Sequence, residues 1–304
     1  MIERQAGPLA LVLGSAAGGG FPQWNCGCRL CRLARLGDPR VQPATQASVA
    51  VTGDGESWLI IGASPDLRQQ LSQSPRLWPR TDGRDTPISG VVLTGGDVDA
   101  IAGLLVLRER QPFTLFAPEP LLKVLAENDV FNVLDPAMVR RVEITPLQTV
   151  SCGTNLTLTL LPMPGKVPLY QEQAGATEPE AGPSYAALVQ ADGRNIVVAT
   201  ACAEISDAVL AQLQAADVLF FDGTLFTDDE MIVAGLGGKT ATRMGHVPIS
   251  GPHGALTRLA ELPARRIFLH INNTNPILLR DSPERRQVEA AGFEVAFDGM
   301  EVRL

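Results

Sequence analysis

The sequence predicts an α/β fold: an αββα sandwich, two sheets face to face with helices outside, in one domain over residues 1–304. Three observations predict it. Each half carries a hairpin signal, Gly53-Asp54-Gly55 in the first and Asp192-Gly193 in the second. Each half also carries strand–helix units, the pattern of parallel strands with covering helices. Hydrophobic residues are 45% of the chain and charged residues 19%, which supplies a sizeable core and argues against global disorder.

The elements follow in order. Leu9 to Leu13 reads as a buried strand that ends at Gly14-Ser15. A glycine-rich loop, Gly14 to Trp24, comes next. Ser48 to Val51 and Ser57 to Ile61 form the first hairpin. Pro65 to Ser74 is predicted helical, with Ser64 as N-cap and Pro65 at the first helical position. Val91 to Leu93 is a strand, Ile101 to Glu109 an apolar helix, Phe113 to Phe116 a strand and Pro120 to Glu127 a helix. Val142 to Pro162 holds two alternating strand patterns around Gly153. Gly165 to Pro183, rich in Gly, Pro and Glu, is expected to run over the surface, as lids and binding loops do. Ala186 to Gln190 and Asn195 to Ala199 form the second hairpin. A helix at Ala208 to Ala215 leads to a strand at Val218 to Phe221. A helix at Gly254 to Leu262 leads to a strand at Ile267 to Ile271. The chain closes with a helix at Pro283 to Ala291 and a strand at Glu294 to Phe297.

The totals exclude some functions. The net charge is −8 and no basic run is present, so the chain lacks the clustered Lys and Arg that phosphate backbones or anionic membranes require. No apolar stretch reaches the ~18–20 residues that span a bilayer. The N-terminal segment has Glu3 and a short apolar stretch that enters a glycine turn, unlike a secretory signal, so a cytoplasmic location is expected. Of five cysteines, Cys26, Cys28 and Cys31 crowd into six residues and the other two are isolated, which suits thiols in a reducing compartment better than a disulfide framework. The oligomeric state is left open.

Several constellations carry chemistry. Cys26-x-Cys28-x-x-Cys31 can turn three thiolates to one side, and Zn²⁺ takes four donors in a tetrahedron. Buried free thiols and a redox role are the alternatives. Gly18-Gly19-Gly20 lacks the Lys-Ser/Thr of a phosphate loop and reads as a tight turn. Asp97-x-Asp99 lies in a strand-to-helix turn, where α/β proteins place their sites; taken alone, helix capping explains it better. Asp222-Gly223-Thr224 also follows an apolar strand. Of three histidines, His270 closes a strand and precedes Asn272, Asn273 and Asn275, which implies a dense polar network; His246 lies in Met244-Gly245-His246, and His253 has no such setting.

The run Leu13-Gly14-Ser15-Ala16-Ala17-Gly18-Gly19-Gly20-Phe21-Pro22-Gln23-Trp24-Asn25-Cys26 closely resembles the N-terminal signature of the PqqB proteins of pyrroloquinoline quinone (PQQ) biosynthesis, of the metallo-β-lactamase superfamily. Further resemblance lies in Ala63 to Gln70, Pro164-Gly165-Lys166-Val167-Pro168-Leu169, Asp222-Gly223-Thr224, Met244-Gly245-His246, His270 to Pro276 and Val295 to Met300, which together span nearly the whole chain. The resemblance implies an αββα sandwich of the metallo-β-lactamase type. The superfamily motif H-x-H-x-D-H falls on Gly95, Asp97, Asp99 and Ala100, so each of its histidines is absent; PqqB proteins generally keep the last one, which Ala100 replaces.

The resemblance further implies an active-site metal held by Asp97, Asp99, Asp222 and His270. His246 would act as ligand or proton donor, and Asp222 would serve in catalysis as a ligand or orienter. An oxygen-rich set of this kind suits Fe²⁺ or another divalent ion better than catalytic Zn²⁺. Asp66 and Lys166 would contact substrate. The three cysteines become a structural Zn²⁺ site, with Asn273 where related enzymes place a fourth, histidine ligand. The activity implied is iron- and O₂-dependent hydroxylation of the tyrosine-derived ring of a cross-linked peptide precursor, with other PQQ biosynthesis proteins as partners. A non-catalytic carrier of PQQ or its precursor is the alternative, favoured by Ala100. A two-zinc hydrolase is disfavoured, because its histidines are missing.

Overall fold

The computed structural model of the chain describes residues 7–153, 155–172 and 180–304. Its first sheet holds β1 (Leu9–Gly14), β2 (Ser48–Thr52), β3 (Trp58–Ile61), β4 (Ile88–Val92), β5 (Phe113–Ala117) and β6 (Val139–Glu143). Its second holds β7 (Thr149–Gly153), β8 (Leu156–Met163), β9 (Ser184–Ala191), β10 (Arg194–Ala199), β11 (Val218–Asp222), β12 (Arg265–Leu269) and β13 (Phe293–Val295). The last strand, β14 (Glu301–Arg303), returns to the first sheet and pairs antiparallel with β1. The orders are β14-β1-β2-β3-β4-β5-β6 and β13-β12-β11-β10-β9-β8-β7.

Both sheets follow one plan. Antiparallel hairpins come first: β1–β2–β3 in one sheet, β7–β8–β9–β10 in the other. Parallel strands follow: β3–β4–β5–β6 and β10–β11–β12–β13. Parallel neighbours need a crossover, and helices supply it. In chain order the helices are α1 (Arg29–Arg35), α2 (Leu67–Gln73), α3 (Val98–Ile101), α4 (Glu119–Ala126), α5 (Asp207–Leu213), α6 (Glu230–Val233), α7 (Ala255–Arg258) and α8 (Pro283–Ala290).

The inner strands of each sheet are apolar on both faces because both faces are covered. Val12, Val49, Ile61 and Val92 meet Leu158, Leu160, Val198 and Phe220 between the sheets. Their alternate neighbours Leu11, Ile60, Val91 and Leu115 face outward onto Leu67, Leu104 and Leu121. On the second sheet, Leu219, Phe221 and Phe268 face Val209, Leu213 and Val288. A fourth, smaller cluster joins Phe21, Leu30, Cys31, Val41 and Leu279 and seats the N-terminal loop on the body.

The predicted strands and both hairpins are present. Four local differences have physical causes. The helix expected over Ile101 to Glu109 starts at Val98 and becomes 3₁₀ over Ala102–Leu107. The Ala63 N–H donates to the Ala100 carbonyl and the Gly103 N–H donates to the Ala63 carbonyl, so the neighbouring chain takes bonds an α-helix would use. A side chain at Gly103 would overlap the Ser64 carbonyl. Second, α2 begins after Asp66, and Ser64 is not its cap; the Ser64 hydroxyl donates to Gln70 Oε1 at 3.0 Å. Third, of the helix expected over Gly254 to Leu262, only α7 is α-helical. Fourth, α1, α6, β6 and β14 were not expected: they are three to seven residues long, too short for a periodic signal. The surface excursion predicted from Gly165 to Pro183 lies partly outside the described residues. Where described, it bears a 3₁₀ turn at Leu169–Gln171.

Candidate metal centres

The C-terminal ends of the parallel strands β4, β11 and β12 meet at one edge of the sandwich, where α/β folds gather their functional groups. Asp222 ends β11, fully buried. Its Oδ2 accepts from the Cys202 N–H at 3.0 Å and its Oδ1 from the Thr224 N–H at 3.1 Å. His270 follows β12 directly with φ +59°, a left-handed conformation that a non-glycine residue adopts only where its surroundings impose it. The imposing contacts are the Ile271 N–H to the Ser15 carbonyl and the Asn272 N–H to the Thr224 carbonyl. His246 follows Gly245, whose φ of +84° turns the chain toward the same point.

Asp222, His246 and His270 offer one oxygen and two nitrogens within 4.8 Å of one another. The Thr224 hydroxyl bridges the three from one side: its Oγ1 lies 2.7 Å from Asp222 Oδ1, 3.1 Å from His246 Nδ1 and 2.9 Å from His270 Nδ1. His246 Nδ1 also meets Asp222 Oδ2 at 2.7 Å, and the two imidazoles stack with centroids 5.3 Å apart. Two imidazoles and a carboxylate converging on one face form the donor set of non-haem iron and related divalent sites, so the residues fit such an ion.

Asp99 stands one step back. Its Oδ2 accepts from His270 Nε2 at 3.0 Å, which fixes the tautomer and leaves Nδ1 facing the cluster. Burial alone would raise the Asp99 carboxyl, but the hydrogen bond and charge of His270 outweigh it and hold the group below its usual range. Burial opposes charge on His270, yet the bond to Asp99 and the charges of Asp99, Asp222 and Asp97 lift the ring above its ordinary value. At Asp97, burial first and the Asp99 charge second push the carboxyl up.

These residues open on a cavity of about 400 Å³. Gly95, Asp97, Asp99 and Ala100, the four positions of the histidine motif, all line it, as do Lys166 and both histidines. Of the residues expected from sequence to hold an active-site metal, the structure groups Asp222 and His270 with His246. It sets Asp99 behind His270 and leaves Asp97 outside the three-donor group at the start of α3. Asp66 is not brought to the cavity: its Oδ2 accepts from the Gln46 N–H at 2.9 Å and from Gln46 Nε2 at 3.0 Å, bracing the loop before β2. Thr224 had been visible only as part of a turn. Its role arises because a hydroxyl at that one position can reach three side chains from three segments.

The second cluster is built by α1. Cys28 is its N-cap; its Sγ accepts from the Cys31 N–H at 3.4 Å, and Cys26 Sγ accepts from the Cys28 N–H at 3.4 Å. Backbone donors aimed at sulfur favour thiolate, the form that binds metal. Burial raises the Cys28 thiol, but the Cys31 N–H and the Cys26 and Cys31 side chains beside it outweigh burial and lower the group; at Cys31 burial dominates and pushes the thiol up to about 12. The three sulfurs lie within 4.8 Å of one another. Asn273, buried, points its amide at them, with Nδ2 3.2 Å from Cys26 Sγ and 3.3 Å from Cys31 Sγ. A half-turn of that amide presents Oδ1 instead, and three thiolates with an amide oxygen make a tetrahedral donor set that fits Zn²⁺. Only Ile271 and Asn272 separate Asn273 from His270, so one segment serves both clusters. The polar network expected there is present: Asn275 Nδ2 donates to the Gly223 carbonyl at 2.9 Å.

Residues 57–271 match the family model of the beta-lactamase superfamily domain. Sandwich, strand-end carboxylates and C-terminal histidine thus define a protein of the metallo-β-lactamase fold. A diphosphatase of the PhnP family shares that fold, with a TM-score of 0.68 at 20% identity over 98% of each chain. The chain is also 50% identical over 300 residues to Coenzyme PQQ synthesis protein B of Methylobacterium nodulans, covering 97% of this chain and 99% of that one. It is 49% identical over 309 residues to the protein of that name from Gluconacetobacter diazotrophicus, covering 96% and 98%. The crystal structure of Zn²⁺-bound PqqB from Methylobacterium extorquens superposes with a TM-score of 0.94 at 46% identity, over 97% of this chain and all of that one. The chain belongs to the coenzyme PQQ synthesis protein B family.

Proposed function

We propose that this chain serves coenzyme PQQ synthesis as a metal-dependent hydroxylase of the tyrosine-derived ring of the peptide precursor. The observation that carries this reading is the grouping of Asp222, His246 and His270 within 4.8 Å of one another, with both histidines lining a 400 Å³ cavity. Fe²⁺ bound there would supply O₂ chemistry. The chain's own groups hold and orient: Asp99 fixes His270, Asp222 ties both histidines through Thr224, and Lys166 meets a carboxylate of the precursor. Cys26, Cys28, Cys31 and Asn273 would hold a structural Zn²⁺ that secures the N-terminal loop against the 270–273 segment. All five cysteines are free thiols, which agrees with work in the cytoplasm beside other PQQ biosynthesis proteins. No helix among the described residues is long and apolar enough to cross a membrane.

Ala100 favours a second reading, a carrier of PQQ or its precursor, because it brings a methyl group to the cavity wall where a histidine would bring a donor. One experiment separates the two. The protein is loaded with iron under anaerobic conditions, given a tyrosine-containing precursor analogue and exposed to O₂ with a reductant. Turnover to a product heavier by one oxygen supports the hydroxylase. Stoichiometric binding without turnover, unchanged when the ion at Asp222 is chelated, supports the carrier.

A further inference from the structure

Next to the two histidines, the cavity wall changes sign. Lys166 and Lys239 line it together with His246 and His270. Their ammonium groups and the Arg243 guanidinium converge on one carboxylate, Glu172. Lys166 Nζ lies 3.0 Å from Glu172 Oε1, Lys239 Nζ 3.5 Å from Oε2, and Arg243 Nη2 3.2 Å from Oε2. The Lys166, Arg243 and Glu172 side chains are all largely buried. Hydrogen bonding from Lys166, against a smaller opposing effect of burial, leads in bringing the Glu172 carboxyl down to about 2.

Holding the loop in place does not require this cluster. Tyr170 Oη donates to the Gly96 carbonyl at 2.7 Å, the Val167 N–H to the Glu180 carbonyl at 2.9 Å, and the Gly182 N–H to the Gly165 carbonyl at 3.2 Å. The described stretches on either side, 165–172 and 180–182, are therefore tied to the body and to each other by bonds other than those of Glu172. Its cations also lie beside the metal-facing groups: a Cβ on Gly245 would come within 3.0 Å of Lys166 Cγ, so the lysine stem passes against the residue before His246. A negatively charged protein has gathered two lysines at the cavity wall beside the histidines, with the Arg243 guanidinium on the same carboxylate.

We propose that Lys166, Lys239 and Arg243 form a carboxylate-binding subsite for a polycarboxylate substrate, and that Glu172 is an internal carboxylate that occupies the subsite until substrate displaces it. The proposal rests on the functional reading above and names the substrate chemistry of the same cavity. A carboxylate held by these cations leaves the rest of the molecule against the His246–His270 face. Glu172 competes with it, so affinity is the difference between two carboxylates for one set of donors.

The test uses the full-length, zinc-loaded protein, with PQQ, a tricarboxylate, and its trimethyl ester as probes, and calorimetry as the readout. Glu172→Gln keeps the shape and removes the competing charge, so PQQ binding should tighten by about tenfold, the scale of one partly desolvated charge pair. Lys239→Gln, at a half-exposed position that folding does not need, should weaken it several-fold. The ester should respond to neither change. Melting temperatures within a few degrees of wild type confirm that the variants fold. Unchanged or weaker PQQ binding by Glu172→Gln overturns the subsite, as does an ester that follows the same trend, while PQQ binding itself leaves the functional reading standing. Failure of wild type and both variants to bind PQQ overturns the subsite, while the hydroxylase reading stands or falls on turnover of the precursor analogue.

Discussion

Removing the Asp99 carboxylate should weaken metal binding at Asp222, His246 and His270 while sparing the cysteine site. Asp99 touches the ion's ligand only through His270, 3.0 Å from Nε2. The two side chains are 22% and 12% exposed, so solvent screens the bond only in part. A charge-assisted hydrogen bond in such a setting contributes about 1.5–3 kcal/mol. At 1.4 kcal/mol per decade this is roughly 10- to 100-fold in affinity, the range found when a carboxylate behind a metal-bound histidine is lost. Asp99→Ala should fall near the upper end. Asp99→Asn keeps an acceptor and loses the charge, so about tenfold is expected. The assay is a Mn²⁺ titration against a competing chelator, with cysteine-bound zinc measured in the same samples. Wild-type Mn²⁺ affinity in Asp99→Ala would refute the orienting role. Loss of zinc as well would show that the substitution disturbs the fold rather than the site.

Three further outcomes are expected. Cys28→Ser removes a thiolate but keeps a capping oxygen at the start of α1, so zinc content by elemental analysis should drop by about one equivalent and the thermal midpoint should fall by several degrees through loss of the ion; full zinc retention would contradict the cluster's role. Phe268→Ala removes a ring stacked 4.9 Å from Phe293, and the cavity should cost about 3–5 kcal/mol in urea unfolding. Glu230 supplies a pH test. Burial lifts its carboxyl to about 7 from an unfolded value of 4.5, against the Thr274 and backbone bonds that lower it. The native state therefore holds the proton longer than the unfolded chain, so stability is full below pH 4.5, falls as pH rises toward 7 and is level above. Glu230→Gln should flatten that slope, on the order of 1–3 kcal/mol, in unfolding curves at pH 5, 6 and 8; an unchanged slope would place the titration elsewhere.

Legibility in the sequence followed the range of the interactions. The two hairpins were readable because Gly53-Asp54-Gly55 and Asp192-Gly193 act locally. The register of α3 was not, because Ala63, some forty residues earlier, takes the bonds of Ala100 and Gly103. The cysteine spacing showed a donor cluster, and the amide of Asn273, over 240 residues away, approaches those sulfurs only in the folded chain. At the other site the chemical types were visible as Asp222, His246 and His270, and the likeness to PqqB proteins named them as partners. Their arrangement around the Thr224 hydroxyl and the retreat of Asp99 behind His270 depend on strands joined across the sheet. The resemblance implied substrate contact for Asp66, and the structure places its carboxylate on Gln46 instead. Lys239 and Arg243 carried no signal, since what distinguishes them is Glu172, which lies in a different loop.

The central claim is that two separate donor sets, the cysteines and the Asp222–His246–His270 group, each hold one divalent ion. The most direct measurement is metal content after loading and dialysis, for wild type and for the double variant His246→Gln, His270→Gln. Wild type should hold two equivalents and the variant one, with the retained ion showing sulfur ligation by X-ray absorption. Two equivalents retained in the variant, or a single ion in wild type that disappears with the histidines, would contradict it.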